Sequence, residues 1–211
     1  VAYDDNGKTF KTKLDWLKER LDKATAQNPK MPVFVYQHPH PFLSVYGSVN
    51  WGDTDLRKVL SKYPQVIDFS GHSHYSLLDE RSIWQGAFTS IGTGSLRYVG
   101  LPGDASKPGY EKDRTISRHA VRSGHLVDVF DDRMVVRRRD FAADCDLGPD
   151  WVVPLGAAAK KPFSFDERAR RAAPPQFPSG ARVTASVGET LGVAFTAATR
   201  TFESRPWRYE V

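Results

Sequence analysis

The sequence is poor in cysteine and in long apolar runs. Only one of its 211 residues, Cys145, is a cysteine, so the chain cannot form an internal disulfide, and Cys145 lies outside any metal-ligand spacing. No apolar run approaches the length of a membrane-spanning helix, and the amino terminus carries no signal-peptide pattern. These absences favour a globular protein that does not insert into a membrane, and they leave its compartment open.

Charge of one sign is not concentrated in any long block. The net charge of +5 would suit a nucleic-acid partner, but basic residues have acidic neighbours along most of the chain. The densest run, Arg137-Arg138-Arg139, falls in a segment that alternates as an exposed strand does, and we predict a solvated face there. A second basic stretch, residues 107–122, is predicted to be a solvated loop, with a phosphate contact as the alternative. Nucleic acid is therefore not an expected partner.

Four of the six histidines lie in two short segments. Gln37-His38-Pro39-His40-Pro41 and Gly71-His72-Ser73-His74 each follow a short apolar run that is typical of a buried strand. Between them, residues 54–63 have apolar side chains at helical spacing, with Asp53 or Thr54 placed to cap the helix. A right-handed βαβ unit makes the two strands parallel, so we predict both histidine segments at the carboxyl edge of one sheet.

Two histidine clusters at one sheet edge indicate a metal site. In the second cluster the imidazoles are two residues apart in a tight turn that Gly71 permits, so they can face neighbouring metal ions or flank a single ion. Neutral imidazole suits zinc, iron, manganese or nickel better than calcium or magnesium. A transition metal is therefore predicted; the alternative is a set of hydrogen-bonded polar residues on a surface turn.

The order strand, histidine, helix, strand, Gly-His-x-His resembles the second half of the motif series of the calcineurin-like metallophosphoesterases, which include the purple acid phosphatases. The resemblance covers residues 1–155 and implies that His38 and His72 bind one metal ion and His74 the other. The family usually has proline two residues after the first ligand, where this chain has His40. We prefer His38 as the ligand because it follows the strand directly. His40 would then orient His38, contact a leaving group or replace His38 as the ligand.

The resemblance implies a metal-dependent phosphoester hydrolase. Two divalent or trivalent transition-metal ions (Zn, Fe or Mn) would activate a bound water for attack on phosphorus. The expected substrate is a small phosphoester, phosphomonoester or phosphodiester, and its binding residues stay unassigned. The alternatives are a non-catalytic fragment or metal-binding module and a hydrolase with a single metal ion.

The carboxylate-bearing motifs of the family's first half do not occur in the sequence, which contains no Asp-x-His, Gly-Asp-x-x-Asp or Gly-Asn-His. Gly52-Asp53-Thr54-Asp55 resembles the second of these, but its second Asp is one residue early, and we interpret it as a helix cap. Three histidines cannot neutralise and bridge two metal ions. We therefore expect a carboxyl-terminal half of the catalytic domain, whose amino-terminal half is a missing partner segment, and export stays possible because the true amino terminus is expected to be absent.

The resemblance implies an α/β fold, the second half of an αββα sandwich, over residues 1–155. Beyond it, the composition predicts a linker over 156–180, and two alternating segments predict the start of a small, incomplete β module over 181–211. An amphipathic helix is predicted at 9–27 and a short one at 166–172. The predicted strands lie within 82–91, 96–99, 124–130, 133–139, 182–187 and 190–196. Asp131-Asp132 is predicted to form a hairpin turn. His119 and His125 are predicted to be surface or hydrogen-bonded residues that bind no metal.

Overall fold

The computed structural model describes residues 11–101, 115–117, 122–156 and 160–199. The chain divides into two compact units, Val1–Phe165 and Asp166–Val211. The architecture is mixed α/β, and the described part holds four α-helices and several small sheets. No helix in this part is long and apolar enough to cross a membrane.

The elements follow one another along the chain with short connections. They are α1 Lys11–Gln27, β1 Val33–Gln37, β2 His40–Pro41, α2 Ser48–Trp51, β3 Gly52–Asp53, α3 Thr54–Leu60, β4 Val66–Ser70, a 3-10 turn Glu80–Ser82, β5 Ile83–Gln85, β6 Thr89–Gly92, β7 Val99–Leu101, β8 Thr115–Ser117, β9 Ser123–Val129, β10 Arg133–Asp140, β11 Cys145–Asp146, β12 Trp151–Pro154, α4 Phe165–Arg171, β13 Val183–Val187 and β14 Leu191–Phe195.

The first sheet contains the predicted βαβ unit. Its strand order is β1-β4-β6-β5, with β1, β4 and β6 parallel and β5 antiparallel to β6. Helix α3 connects β1 to β4, and the Asp53 carboxylate caps it by accepting hydrogen bonds from the amides of Asp55 and Leu56, at 2.9 Å each. The interpretation of this segment as a cap is confirmed. Because Gln37 pairs with Ser70 at the ends of β1 and β4, the two histidine segments leave the sheet side by side.

A hydrophobic core packs α1 and α3 against this sheet, as the amphipathic pattern predicted. All five residues of β4 are buried, which is typical of a parallel strand covered on both faces. The first two positions of the predicted helix 9–27 lie outside the described residues. The buried cluster comprises Leu14, Leu21, Val35, Val45, Leu56, Leu60, Tyr63, Val66, Trp84 and Phe88.

The second sheet is antiparallel, with β9 on one side of β10 and both β11 and β12 on the other. The predicted hairpin is confirmed, with Asp131 and Asp132 between β9 and β10. The prediction of a solvated face for Arg137-Arg138-Arg139 is wrong at Arg138, which is 1% exposed. One face of β10 is covered, so alternate residues are buried, and Nη1 and Nη2 of Arg138 donate to backbone carbonyl oxygens.

Two further expectations need correction. Residues 82–91 form two short antiparallel strands, β5 and β6, because the chain turns at Gly86, where a Cβ would lie 2.1 Å from the Trp84 ring. The strand expected at 96–99 begins only at Val99. Most of the basic stretch 107–122 lies outside the described residues. In the second unit, the short helix and the β13–β14 hairpin are present as predicted.

Candidate metal centre

His38 and His72 meet at the carboxyl ends of β1 and β4. The Nδ1 atom of His72 lies 2.9 Å from Nε2 of His38, and the rings are close to perpendicular, with centroids 4.9 Å apart. The Gly71 amide donates a hydrogen bond to the His38 carbonyl at 3.0 Å and ties the two loops together. Parallel neighbouring strands thus bring together two imidazoles that are 34 positions apart in the sequence.

The turn that carries the second cluster bends at its histidines. Gly71 was expected to permit the bend, but the residues with left-handed backbone conformations are His72, with φ 71°, and His74, with φ 55°. A Cβ at Gly71 would make only ordinary contacts, 3.6 Å from His38 Nδ1. Non-glycine residues adopt positive φ uncommonly and at some energetic cost. The histidine turn is therefore the strained part of the site.

His74 faces a different neighbour from His72. Its ring packs on Tyr98 with a centroid distance of 4.3 Å, and its carbonyl accepts a hydrogen bond from the Gly100 amide at 2.9 Å. Within the described ranges, no three His, Cys, Asp or Glu side chains are grouped so that they could hold a metal ion. The structure pairs His38 with His72 and leaves His74 outside a three-residue group.

His40 is buried behind the pair. Its Nδ1 lies 2.9 Å from the Ser70 hydroxyl and its Nε2 lies 2.8 Å from the Ser73 hydroxyl. Burial, together with the nearby His72 and His38, lowers the pKa of His40 to about 3, so its ring is neutral. Because serines engage both ring nitrogens, neither nitrogen is offered to a metal ion. His40 reaches the second histidine loop through Ser73, a contact that is not among the three roles considered from the sequence.

Asp68 is a polar residue of this region that sequence reasoning missed. It is fully buried in β4, where it accepts hydrogen bonds from Gln37 Nε2 and the Ser90 hydroxyl at 2.9 Å each and also bonds the Ser70 side chain. Burial raises its pKa to about 7, although the three hydrogen bonds act in the opposite direction. The only signal in the sequence was a single carboxylate in the otherwise apolar run Val66 to Phe69.

Aromatic side chains border His72 on one side. The Trp51 ring lies 6.1 Å from that of His72 and 5.9 Å from that of Tyr75. Tyr75 stacks on Tyr46 at 4.2 Å, and the Arg81 guanidinium lies 3.5 Å from the Tyr46 ring centroid. Trp51 ends the short helix α2. These rings form an aromatic wall beside the imidazole pair.

The expectation for His125 needs correction, because its ring is enclosed between the two sheets. It packs 6.4 Å from the Phe69 ring and 5.7 Å from the Trp151 ring. Its Nε2 atom is buried and has no hydrogen-bond partner among the described residues. Burial and the positive charge of Arg138 lower its pKa to about 3. His125 is therefore a half-buried residue packed on aromatic rings, and His119 lies outside the described residues.

The Asp68→Asn variant tests the buried carboxyl group through pH. The pKa of Asp68 in the folded protein is about 7, above its ordinary value of 3.8, so the unfolded chain loses this proton at a lower pH than the folded protein. The contribution of Asp68 to the free energy of unfolding is therefore largest below about pH 4. It falls by up to about 4 kcal/mol as the pH rises to about 7. Asn keeps the shape without titrating. We expect equal stability of variant and wild type near pH 4 and a more stable variant at pH 8.5.

Urea unfolding at four pH values between 4 and 8.5 measures this difference, and the exposed Asp128→Asn substitution is the matched control. The acid sensitivity of His40 and His125 is common to both proteins and cancels in the comparison. Parallel pH profiles for wild type and Asp68→Asn would show that the buried carboxyl group ionises at its ordinary pH.

Comparison of the sequence with protein families and with curated proteins found no relative. No protein-family model matches the sequence, and no curated protein matches it significantly. The function of this chain is therefore inferred from the paired imidazoles, the histidine turn and the buried polar residues behind them.

Proposed function

We propose that this chain carries the histidine half of the metal site of a phosphoester hydrolase that resembles the calcineurin-like metallophosphoesterases. The observation that carries the proposal is the pair His38 and His72, whose nitrogens lie 2.9 Å apart at the carboxyl edge of adjacent parallel strands. Open α/β sheets bind ligands at this edge. The two sheets of the first unit are assigned, under the same proposal, to the second half of an αββα sandwich.

The spacing of the pair fits one transition-metal ion. Imidazole nitrogens bind zinc at about 2.0–2.1 Å, so two ligands of one ion have nitrogens about 2.9 Å apart at a right angle and about 3.3–3.4 Å apart in tetrahedral geometry. His72 Nδ1 and His38 Nε2 fall at the short end of this range. His74, whose ring lies beside Tyr98, is assigned to a second ion of the same type, Zn, Fe or Mn.

Two bound ions would lower the pKa of a coordinated water and stabilise the charge that develops on the phosphoryl oxygens. The residues of this chain hold the ions and shape the space around them. His38, His72 and His74 supply neutral ligands, and the Trp51 ring limits the approach to His72 from one side. Neutral ligands alone leave the positive charge of the ions uncompensated. The proposal therefore assigns the bridging carboxylates to an amino-terminal half that precedes these residues.

A second candidate function is a metal-binding or metal-free module without catalysis. It is favoured by the absence of a third suitable side chain near the pair in the described part. Without metal, one imidazole of His38 and His72 can donate its N–H to the other across the same 2.9 Å. Metal titration decides between the two, because only the first proposal requires the pair to take up a transition metal.

The chain of 211 residues, assayed alone, is expected to bind metal weakly and to hydrolyse phosphoesters at a rate near background. The reason is that three imidazoles leave several coordination positions to water and no charge to balance the ions. The measurement combines Co²⁺, Zn²⁺ and Mn²⁺ titration with assays on a nitrophenyl phosphomonoester and a nitrophenyl phosphodiester. Turnover comparable to that of an intact phosphoesterase would show that the site is complete within these residues, and the His72→Ala variant controls for contaminating phosphatase.

A further inference from the structure

The histidine turn is held in a conformation that its own sequence does not favour. His72 and His74 both have positive φ, 71° and 55°, and neither is glycine. Such residues cost of order 1–3 kcal/mol each and persist only where the surrounding structure imposes them. Ser73, the residue between them, is buried. A contact that fixes the position of Ser73 therefore also fixes the orientation of the neighbouring His72 and His74 side chains.

His40 is the side chain that reaches Ser73 from the other histidine loop. It lies two residues after His38, is 1% exposed, and places one ring nitrogen on each of two serines. Ser70 ends β4 directly before Gly71, and Ser73 lies inside the turn. The His40 ring thus bridges Ser70, directly before the bend, and Ser73 at its centre, and it links this bend to the loop that carries His38.

The hydrogen bonds of the buried serines determine which atom donates and which accepts at each step of this link. The Asp68 carboxylate accepts from Gln37 and Ser90 and bonds the Ser70 side chain. Ionised Asp68 only accepts hydrogen bonds, so the Ser70 hydroxyl donates to it and the Ser70 oxygen is free to accept from His40 Nδ1. The hydroxyl of Ser73 then donates to His40 Nε2. The tautomer of an imidazole is set by such partners.

We propose that His40 is a positioning residue that locks the His72-Ser73-His74 turn, acting as a neutral Nδ1–H tautomer anchored through Ser70 to the buried Asp68. The chain of hydrogen bonds runs from Ser73 through His40 and Ser70 to Asp68. It joins the histidine turn to the centre of the sheet without contacting a bound ion. Its consequence for metal affinity rests on the proposed function, whereas the link itself does not.

Metal affinity of four variants tests the consequence. His40→Ala is expected to weaken Co²⁺ binding about ten- to hundredfold, as is usual for loss of a partner behind a metal ligand. In His40→Gln the amide can reach Ser73, so affinity should return to within a few-fold of wild type, whereas His40→Asn reaches only Ser70 and should not rescue. His125→Ala, which removes another enclosed imidazole, should leave affinity unchanged. Equal affinity of His40→Ala and wild type, or equal loss in the Gln and Asn variants, would overturn the proposal.

Nitrogen NMR of histidine-labelled protein at pH 8.5 tests the link without metal. His40, identified by its loss in His40→Gln, should show a protonated Nδ1 and an unprotonated Nε2. The signals of His38 and His72 should shift in His40→Ala and stay unchanged in His125→Ala. A protonated Nε2 on His40 would overturn the proposed direction of the hydrogen bonds. If wild type shows the expected tautomer but takes up no Co²⁺, the proposed function fails while the positioning role of His40 stands.

Discussion

Replacement of His72 by alanine is expected to abolish transition-metal binding at the imidazole pair. His72 Nδ1 and His38 Nε2 are 2.9 Å apart, and under the proposed function each supplies one of the few protein ligands to the same ion. The loss should exceed the ten- to hundredfold effect of removing a residue behind a ligand, such as His40. Because both residues serve one ion, His38→Ala should have an equal effect, and the double variant should be little worse than either single variant.

Elemental analysis after metal loading, together with Co²⁺ titration, measures this result. His125→Ala is the matched control, since it removes an enclosed histidine from another part of the first unit. Full metal content in His38→Ala with loss in His40→Ala would transfer the ligand role to His40. Full metal content in both His38→Ala and His72→Ala would refute the pair as a metal site.

The Arg138→Ala variant should lose about 3–5 kcal/mol of unfolding free energy. The guanidinium donates to the carbonyl oxygens of Leu77 and Pro149, at 2.8 and 2.6 Å, and lies 4.4 Å from the Trp151 ring centroid. Its removal leaves the buried Leu77 carbonyl without its donor, at about 1–3 kcal/mol, breaks the bond to the Pro149 carbonyl and opens a cavity. For a chain of this size the melting temperature should fall by about 10 °C.

Arg137→Ala provides the control for this substitution. Arg137 is the neighbouring residue of the same strand and is more exposed than Arg138, so its replacement should change stability by less than about 0.5 kcal/mol. Differential scanning calorimetry of the two variants gives the comparison. Equal melting temperatures would mean that water replaces the guanidinium without loss and that Arg138 does not support the second sheet.

Local features of the molecule were predictable because their causes are local. The apolar run before His38 forms the predicted strand β1, although only Val35 of that strand is buried. The Asp53 carboxylate caps α3 by reaching amides two and three residues ahead. Asp131 and Asp132 turn one strand into the next. The proximity of His38 and His72 also followed, since a helix between two short strands implies a parallel pair whose carboxyl ends coincide.

Other features depended on contacts between distant segments and were missed. The whole run Arg137-Arg138-Arg139 was predicted to be solvated, but only the covering of one face of β10 decides that Arg138 is buried. The bend of the histidine turn was attributed to Gly71, although His72 and His74 carry the unusual backbone conformation. No pattern along the chain shows that Ser73 is held by a residue that precedes it by 33 positions.

The sequence by itself determined the βαβ unit, the helix cap, the β9–β10 and β13–β14 hairpins and the presence of two histidine loops at one sheet edge. These features depend on hydrophobic periodicity and on hydrogen bonds between near neighbours, and both are visible in the amino-acid sequence. The tertiary structure alone decided that His40 links the two loops and that burial inside the sheet raises the pKa of Asp68. It also decided that the His125 ring and Arg138 are packed inside the first unit. The physical reason is that burial and hydrogen-bond partners are properties of packed surfaces, and these surfaces exist only once distant segments have met.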